Sequence, residues 1–444
     1  MKLLKSLYLN SRMLITVGAI SAFLVISHFF QVIYPIAQIT LYFFLAMLVL
    51  DLLMLYATPG RVEGARDLPE KCSLGDMNDV YVHYRSTYAF QISMTLIDEL
   101  PFQLQLRNSR YHAKVLPGVP ATIQYQIRPL ERGQYHFGRL NFFASTQLGF
   151  FQRRFIIGEP AMVPVYPSFI QLRKFEFLAI SNRLTEHGVK RIRKVGHSYE
   201  FDQIRQYVPG DDVRTLNWMA TAKMQEELMV NQFMDERSQH IFSVINTGRI
   251  MKMPFNGLTL LDHAINSTLV LLNVAIRKGD NAGLVTFSDK IYSTLQASRR
   301  ATQMHKIMDF LYHVSTDFAE SDYERLYFHL SRVVRQRSMV LFYTNFESIY
   351  GLERALPYLK RIAKHHLLIV VFFRNTELSQ LNHLEVRNTE DVYVKTMAMK
   401  FGFEKELIAR ELERHGIHHL LTTPEHLTVD AVNKYLEVKA RALV

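Results

Sequence analysis

The stretch "FSVINTGRIMKMPFNG", residues 242–257, decides how the C-terminal half is read. Phe242 to Ile245 reads as a short buried strand that stops abruptly at Asn246, Thr247, Gly248 and Arg249. Gly257 then opens an amphipathic pattern in which Leu258, Leu261, Ile265, Leu269, Leu272 and Ile276 mark one helix face. The rhythm continues beyond it. "NAGLVTF" (281–287) is a second strand, with "DKIYSTLQ" (289–296) as a pairing candidate. "ESDYERLYFHLSRVVRQ" (320–336) is helical, with its acidic residues at the favourable N-terminal end. "SMVLFYT" (338–344) and "HLLIVVFF" (366–373) are fully apolar strands of the kind buried in parallel sheets, and "HHLLTT" (418–423) is a late strand. Thr423 is expected to cap the last helix, with Pro424 at its first position. Alternating strands and helices imply a doubly wound α/β domain over 237–444. In such sheets ligands bind at the carboxyl ends of strands, where the 246–249 loop and "TNFES" (344–348) both fall.

Upstream, the period shortens to two. Val80, Val82 and Tyr84 alternate with polar partners, as do Ile92, Met94 and Leu96, then Phe102, Leu104 and Leu106. Ile123, Tyr125 and Ile127 repeat the pattern, and so do Tyr135 and Phe137. "RNS" and "PGVP" supply turns, and the spacing predicts an antiparallel β-sandwich over 58–180. A connector, 181–236, joins it to the α/β domain. It contains "GHSYEFDQIRQYVPGDDVRTLNWMATAK" (196–223), dense in charge and holding the sole tryptophan, Trp218.

The N-terminal block is different again. No residue from Met13 to Leu50 is charged, and Asp51 interrupts the apolar run only near its end. The block is too long for one membrane span and suits two, and far too long for the apolar core of a signal peptide. Pro35 divides it, so helices are expected near 13–31 and 35–56, joined by "QVIYP" within a 13–57 hairpin. Residues 1–12 form a short tail. Lys2, Lys5 and Arg12 precede the first helix, and Arg61 and Arg66 follow the second. The connection carries no Lys or Arg, so the positive-inside rule puts both ends, and the soluble domains, in the cytoplasm. The single cysteine, Cys72, excludes an intrachain disulfide and fits a reducing compartment. The net charge of +11 is scattered rather than gathered into a tract, which suits a basic face near a membrane better than a nucleic-acid site.

Within the connector, Glu200, Arg205, Tyr207, Gly210, Asp211, Arg214, Trp218 and Ala222 stand at the spacing of one family's signature. On these positions the chain resembles the bacterial domain of unknown function 58 family. "RGQYHFGRLNFFASTQLGFF" (132–151) also resembles that family's Arg-Gly-x-Tyr segment, although Thr146 and Gln147 replace its usual Asp-Pro. The resemblance implies a membrane-anchored protein ending in a von Willebrand factor A-like domain, without an established enzymatic activity. It also implies a MoxR-type AAA+ ATPase as partner, since such genes often lie together. A von Willebrand A domain typically holds Mg²⁺ through Asp-x-Ser-x-Ser after its first strand, a Thr from a second loop and an Asp after the fourth strand. Those positions fall on Asn246, Gly248, Ile250, Thr316 and Asn345. No carboxylate remains, and Arg249 adds a cation, so the metal chemistry is expected to be lost.

Two uses of the 246–249 loop stay open. Asn246, Thr247 and Arg249, with Asn345 and Glu347, form a metal-free contact with a partner protein, or Asn246 and Arg249 only satisfy neighbouring loops, Glu347 being one possible mate. The signature charges Glu200, Arg205, Asp211, Asp212 and Arg214 are expected to lock the sandwich to the α/β domain, with Trp218 packed at the seam. An enzyme using those carboxylates is the alternative, but no nucleophile, metal or ligand cradle is evident nearby. "HGIHH" (415–419) lacks a regular face for metal ligation, His365 and His366 point apart, and no phosphate-binding glycine loop occurs. The expectation is therefore an interaction or assembly protein with no cofactor and no catalytic residue.

Overall fold

The first element is a strand rather than a helix. β1 (Leu7–Leu9) precedes two helices, α1 (Ser11–His28) and α2 (Tyr34–Tyr56), both long and apolar enough to cross a membrane. Asn10 caps α1 with its side chain, and Pro35 lies in the first turn of α2, where its missing N–H costs nothing. The computed structural model describes residues 6–30, 32–106, 109–170, 172, 200–208, 211, 213–224, 227–234, 238–316, 318–375, 381 and 388–441. The chain divides into two units, Met1–Tyr166 and Pro167–Val444. Lys2, Lys5, Gly210, Asp212 and residues 181–199 of the expected connector lie outside the described residues.

Ten strands complete the first unit. They are β2 (Val62–Asp67), β3 (Cys72–Ser73), β4 (Asn78–Ser86), β5 (Ile92–Asp98), β6 (Arg110–Val115), β7 (Ala121–Ile127), β8 (Gly133–Phe137), β9 (Leu140–Ser145), β10 (Phe151–Ile157) and β11 (Ala161–Tyr166). They form a five-stranded sheet ordered β1-β10-β9-β5-β6 and two three-stranded sheets, β2-β4-β7 and β3-β11-β8. In β4 the apolar positions Val80, Val82 and Tyr84 are buried and their neighbours are not, as period two requires. Tyr84 and Phe142 meet across two sheets with ring centroids 6.3 Å apart. The alternation at 102–106 misleads: Phe102–Leu104 is one 3-10 turn, and Phe102 is 86% exposed. Pro101 at its cap and Gln105 at φ 51° break the extended backbone there.

The sheets hold the helical hairpin through one carboxylate. Asp51, fully buried in α2, accepts from the backbone N–H groups of Phe150 and Phe151, each at 2.9 Å, and from the Thr146 hydroxyl. Thr146 and Gln147 are the residues that replace the Asp-Pro of the resembled segment, so the carboxylate that serves this turn comes from the helix instead. At the end of α2, Arg153 (2.8 Å) and the Tyr88 hydroxyl (3.1 Å) donate to the Leu55 carbonyl, one of those a helix terminus leaves open. β1 pairs antiparallel with β10, and Asn10 donates to the Gly149 carbonyl at 2.9 Å, so both ends of the hairpin join the same sheets. Deeper in, a second buried pair, Arg66–Asp98 at 2.5 Å with Tyr125 also donating to Asp98, ties β2 to β5 and β7. Burial pushes the Asp98 carboxyl above its ordinary range against the opposing pull of Arg66.

The second unit opens with a hairpin of β12 (Glu200–Gln206) and β13 (Met229–Met234), carrying the short helix α3 (Trp218–Met224). Six strands then form the main sheet: β14 (His240–Asn246), β17 (Asn281–Phe287), β18 (Ile291–Ser298), β19 (Met339–Tyr343), β20 (Leu367–Phe373) and β21 (His418–Thr422). β15 (Pro254–Phe255) and β16 (Leu258–Thr259) make a small pair beside it. The order is β18-β17-β14-β19-β20-β21, parallel throughout except the antiparallel edge strand β18. Successive residues of β14 face opposite ways. Ile241 and Ile245 pack under α4 (Leu260–Arg277), α5 (Gln303–His313) and the C-terminal helix. Phe242 and Val244 pack under α6 (Tyr323–Val333), α7 (Ile349–His365) and α8 (Thr389–Arg414). Gly283 in β17 is required: a Cβ there would sit 2.4 Å from the Phe242 ring. α4 starts at Leu260, two residues after Leu258, because Thr259 and Asp262 close a reciprocal capping box. The last helix, α9 (Leu427–Ala440), starts after the expected Thr423–Pro424 cap; its cap residue is His426, and Thr423 belongs to the turn before it.

Asp51→Ala is expected to leave two backbone N–H groups and a hydroxyl unpaired, a loss on the order of 3 kcal/mol. Thermal denaturation of the purified full chain checks it, and a midpoint equal to that of the wild type would show that the carboxylate does not hold the hairpin.

Candidate functional site

Parallel strands β14 and β19 end side by side, and the polar residues that follow them converge. Asn246 ends β14, and Thr344 and Asn345 follow β19. Asn246 is fully buried, and each of its polar atoms has a partner. Its Oδ1 accepts from the Gly248 N–H and from the Ser321 hydroxyl, both at 2.9 Å, and its Nδ2 donates to Thr344 Oγ1 at 3.1 Å. Tyr323 adds hydrogen bonds with Thr344 and Ser321, and burial pushes its phenol up to about 12. The Thr247 hydroxyl donates to the Phe287 carbonyl at 3.1 Å. Gly248 permits this closure, since a Cβ there would lie 2.7 Å from Ser321 Oγ and 2.9 Å from the Ala319 carbonyl. Ile250 turns its side chain to the apolar core.

The hydroxyl that reaches Asn246 from the second loop is therefore that of Ser321. Thr316, on the same loop, is half-buried and forms no hydrogen bond with Asn246 or Asn345. Asn246, Thr247 and Asn345 are buried and committed within the fold, so the first of the two readings left open by the sequence, a direct partner contact through them, has no exposed surface to use. Of the proposed contact residues, Arg249 and Glu347 stay exposed. Arg249 lies 3.9 Å from Glu320, not beside Glu347, and Glu320 also pairs with Arg354 at 3.1 Å.

The sequence reading missed the residue that dominates this end of the sheet. Lys405, on α8, places its ammonium 2.6 Å from Asn345 Oδ1 and 2.5 Å from the Phe346 carbonyl. Burial lowers the Lys405 pKa from 10.5 to about 8, against the raising influence of Glu347 and Glu404. Its signal in the sequence is a lysine placed on an otherwise apolar helix stripe, with Ala398 seven residues before it and Ile408 and Leu412 three and seven after.

These side chains do not fit the Mg²⁺ that the family resemblance implies. Mg²⁺ needs free oxygen ligands, usually with a carboxylate. Here the Asn246 oxygen already accepts two donors, and the Asn345 oxygen accepts an ammonium. Among the described residues, no group of three or more His, Cys, Asp or Glu side chains could hold a metal ion. In the "HGIHH" stretch, His415 bonds Glu411 at 3.0 Å and His419 lies 3.8 Å from Glu413.

The signature hairpin is built differently. Arg205 grips Asp211 through its two terminal guanidinium nitrogens, at 2.8 and 2.6 Å, and Asp211 also accepts from the Val208 N–H at 2.9 Å. That grip holds the Asp211 carboxyl below its ordinary range. Asn217 caps α3 by accepting from the Ala220 N–H and donates to Asn231, at 2.9 and 2.8 Å. The backbone of Tyr207 donates to the Leu228 carbonyl, and Arg214 lies exposed in a 3-10 turn. Of Glu200 only the backbone, paired with Met234, is described. Trp218, expected at a packed seam, is 69% exposed, and Met219 beside it is 76% exposed.

Residues 203–413 match the family described as "Protein of unknown function DUF58", which supports the resemblance read from the signature. The uncharacterized protein YeaD of Bacillus subtilis (strain 168) is 25% identical over 167 residues, 37% of this chain. The match spans 39% of that relative's length. Among solved structures, the conserved hypothetical protein BatB from Bacteroides thetaiotaomicron aligns over 46% of this chain and 100% of its own, at 12% identity and a TM-score of 0.30. The CARDB domain of the PF1109 protein from Pyrococcus furiosus aligns over 24% and 88%, at 10% identity and a TM-score of 0.18.

Lys405 makes stability depend on pH. Between its lowered pKa of about 8 and the ordinary 10.5, the unfolded chain keeps a proton that the folded chain releases. Stability should therefore rise with pH across that window, by up to about 3 kcal/mol. Lys405→Met should remove this rise. Melting curves of both proteins at several pH values in the window test it, and parallel pH profiles would rule out a desolvated ammonium.

Proposed function

We propose that this protein is a membrane-tethered interaction or assembly factor. Its two apolar helices anchor it in the cytoplasmic membrane, and its soluble parts work in the cytoplasm. The C-terminal unit is in this reading a von Willebrand factor A-like domain whose metal-dependent adhesion site has become a closed hydrogen-bond network. The strand order and the position of Asn246 and Asn345 at the sheet's carboxyl end support that reading. The basic flanks support the orientation, and the joining of both hairpin ends to one set of sheets agrees with their lying on one side.

The observation that carries the proposal is Trp218. A large apolar side chain exposed on a short helix, over a hairpin fixed by a bidentate ion pair, has little to do within its own unit. Met219, Val213 and Val208 are exposed near it in sequence. Rigid exposed aromatics of this kind act as anchors in protein interfaces. The partner proposed is a MoxR-type AAA+ ATPase, as the family resemblance implies, together with a client protein that the pair would act on.

The test is a pull-down from detergent-solubilised membranes with the full chain as bait. Wild type should recover the ATPase. Trp218→Ala should weaken that capture at least about thirtyfold, the scale of a hot-spot residue, while shifting stability by no more than about 0.5 kcal/mol. Loss of stability without loss of capture would return Trp218 to a packing role. Capture should also persist in EDTA, and calorimetry of the purified protein with Mg²⁺ or Mn²⁺ should show no micromolar binding. Capture abolished by EDTA would overturn the metal-free reading.

A further inference from the structure

A cavity of about 510 Å³ opens at the carboxyl edge of the main sheet, beside the closed Asn246 network. Phe255, Leu260, Phe373 and Phe401 give it apolar walls, and Lys405 and Asn345 lie on its lining. Its size is that of a small-molecule site, and apolar walls with a few polar groups are the usual make-up of one.

Two features go beyond shape. The first is the charge state of the wall. The Lys405 ammonium rests on two neutral oxygens, those of Asn345 and Phe346, and no carboxylate closes an ion pair with it among the described residues. A desolvated cation without a counter-ion is costly, and a bound anion would offset that cost. Glu347, on the lining, and Glu404 attract the ammonium from a distance without closing an ion pair, and Glu406 is engaged with Arg374 at 3.7 Å. The second feature is Gly402, on the cavity lining and inside α8, one turn from Lys405. Glycine inside a helix is destabilising relative to alanine. Close packing does not demand it here, since a Cβ at this position would meet no atom within 4 Å. Gly402 thus places no side chain on the cavity lining.

We propose that this cavity binds a small monocarboxylic acid with an apolar body, its carboxylate taken by the Lys405 ammonium and its body by the aromatic walls. The site does not depend on the partner proposed above, and no metal takes part.

Calorimetry on the detergent-solubilised full chain tests this with three probes of one shape: 4-phenylbutyrate, 4-phenylbutanol and 4-phenylbutylamine. The acid should bind at least about tenfold more tightly than the alcohol, and the amine more weakly than either. Lys405→Met should bring the acid down to the affinity of the alcohol. Gly402→Leu, which adds a bulky apolar side chain to the cavity lining, should weaken acid and alcohol alike, and Gly402→Ala should spare both. An acid that binds no better than the alcohol, an amine that binds best, or affinities indifferent to Gly402→Leu would each overturn the proposal. If Lys405→Met fails to fold, the ranking of the three probes and the Gly402 pair still decide it.

Discussion

The second unit depends on β14 being buried from both sides at once. Its Ile241 and Ile245 serve one helical layer, its Phe242 and Val244 the other, and its two edges bond β17 and β19. Apart from the small Ser243, the enclosed strand is apolar from Ile241 to Ile245, and its polar end is Asn246. The polar groups at that end must then satisfy one another, because water does not reach them. Asn246, Ser321, Thr344 and the Gly248 backbone do so among themselves. Asn345 is satisfied from outside the loops, by an ammonium carried on a helix. The chemistry of this end of the sheet thus follows from the burial of the strand beneath it.

Much of this was legible because burial imposes a period. The alternation at Val80, Val82 and Tyr84, the solid apolar runs at 338–344 and 366–373, and the uncharged block from Met13 to Leu50 each record one kind of environment. The failures occurred where a residue's surroundings come from elsewhere in the chain. Phe102 to Leu106 carries the strand pattern, yet Pro101 and Gln105 bend the backbone out of it. Trp218 has the composition of a core residue and the exposure of a contact residue, and composition alone does not separate the two. Thr316 stands at the position that the family resemblance implies, but Ser321 is the hydroxyl that the fold brings to Asn246. Lys405 is far from the loop in sequence, and only the packing of α8 across the sheet brings it to Asn345.

The first unit shows the same economy with one acidic side chain. Asp51 breaks an otherwise uncharged helix, which in isolation would count against a membrane span. Its three hydrogen bonds to the 146–151 turn turn that defect into the attachment point of the sheets. Arg153 and Tyr88 finish the work by answering the Leu55 carbonyl at the helix end. The sheets are therefore fastened to the helix itself and not only strung from it by the chain after Tyr56.

The pairing of Leu7 with Arg153 bears on how the protein is made. The strand that precedes the first helix emerges from the ribosome early, but its partner strand is among the last of the unit to appear. At ordinary rates of synthesis the delay is on the order of ten seconds. During that time the apolar hairpin has already left the ribosome, with Asp51 lacking its turn and β1 lacking its sheet. The hairpin is thus synthesised before the contacts that will later hold it can form, and the N-terminal strand waits for its partner.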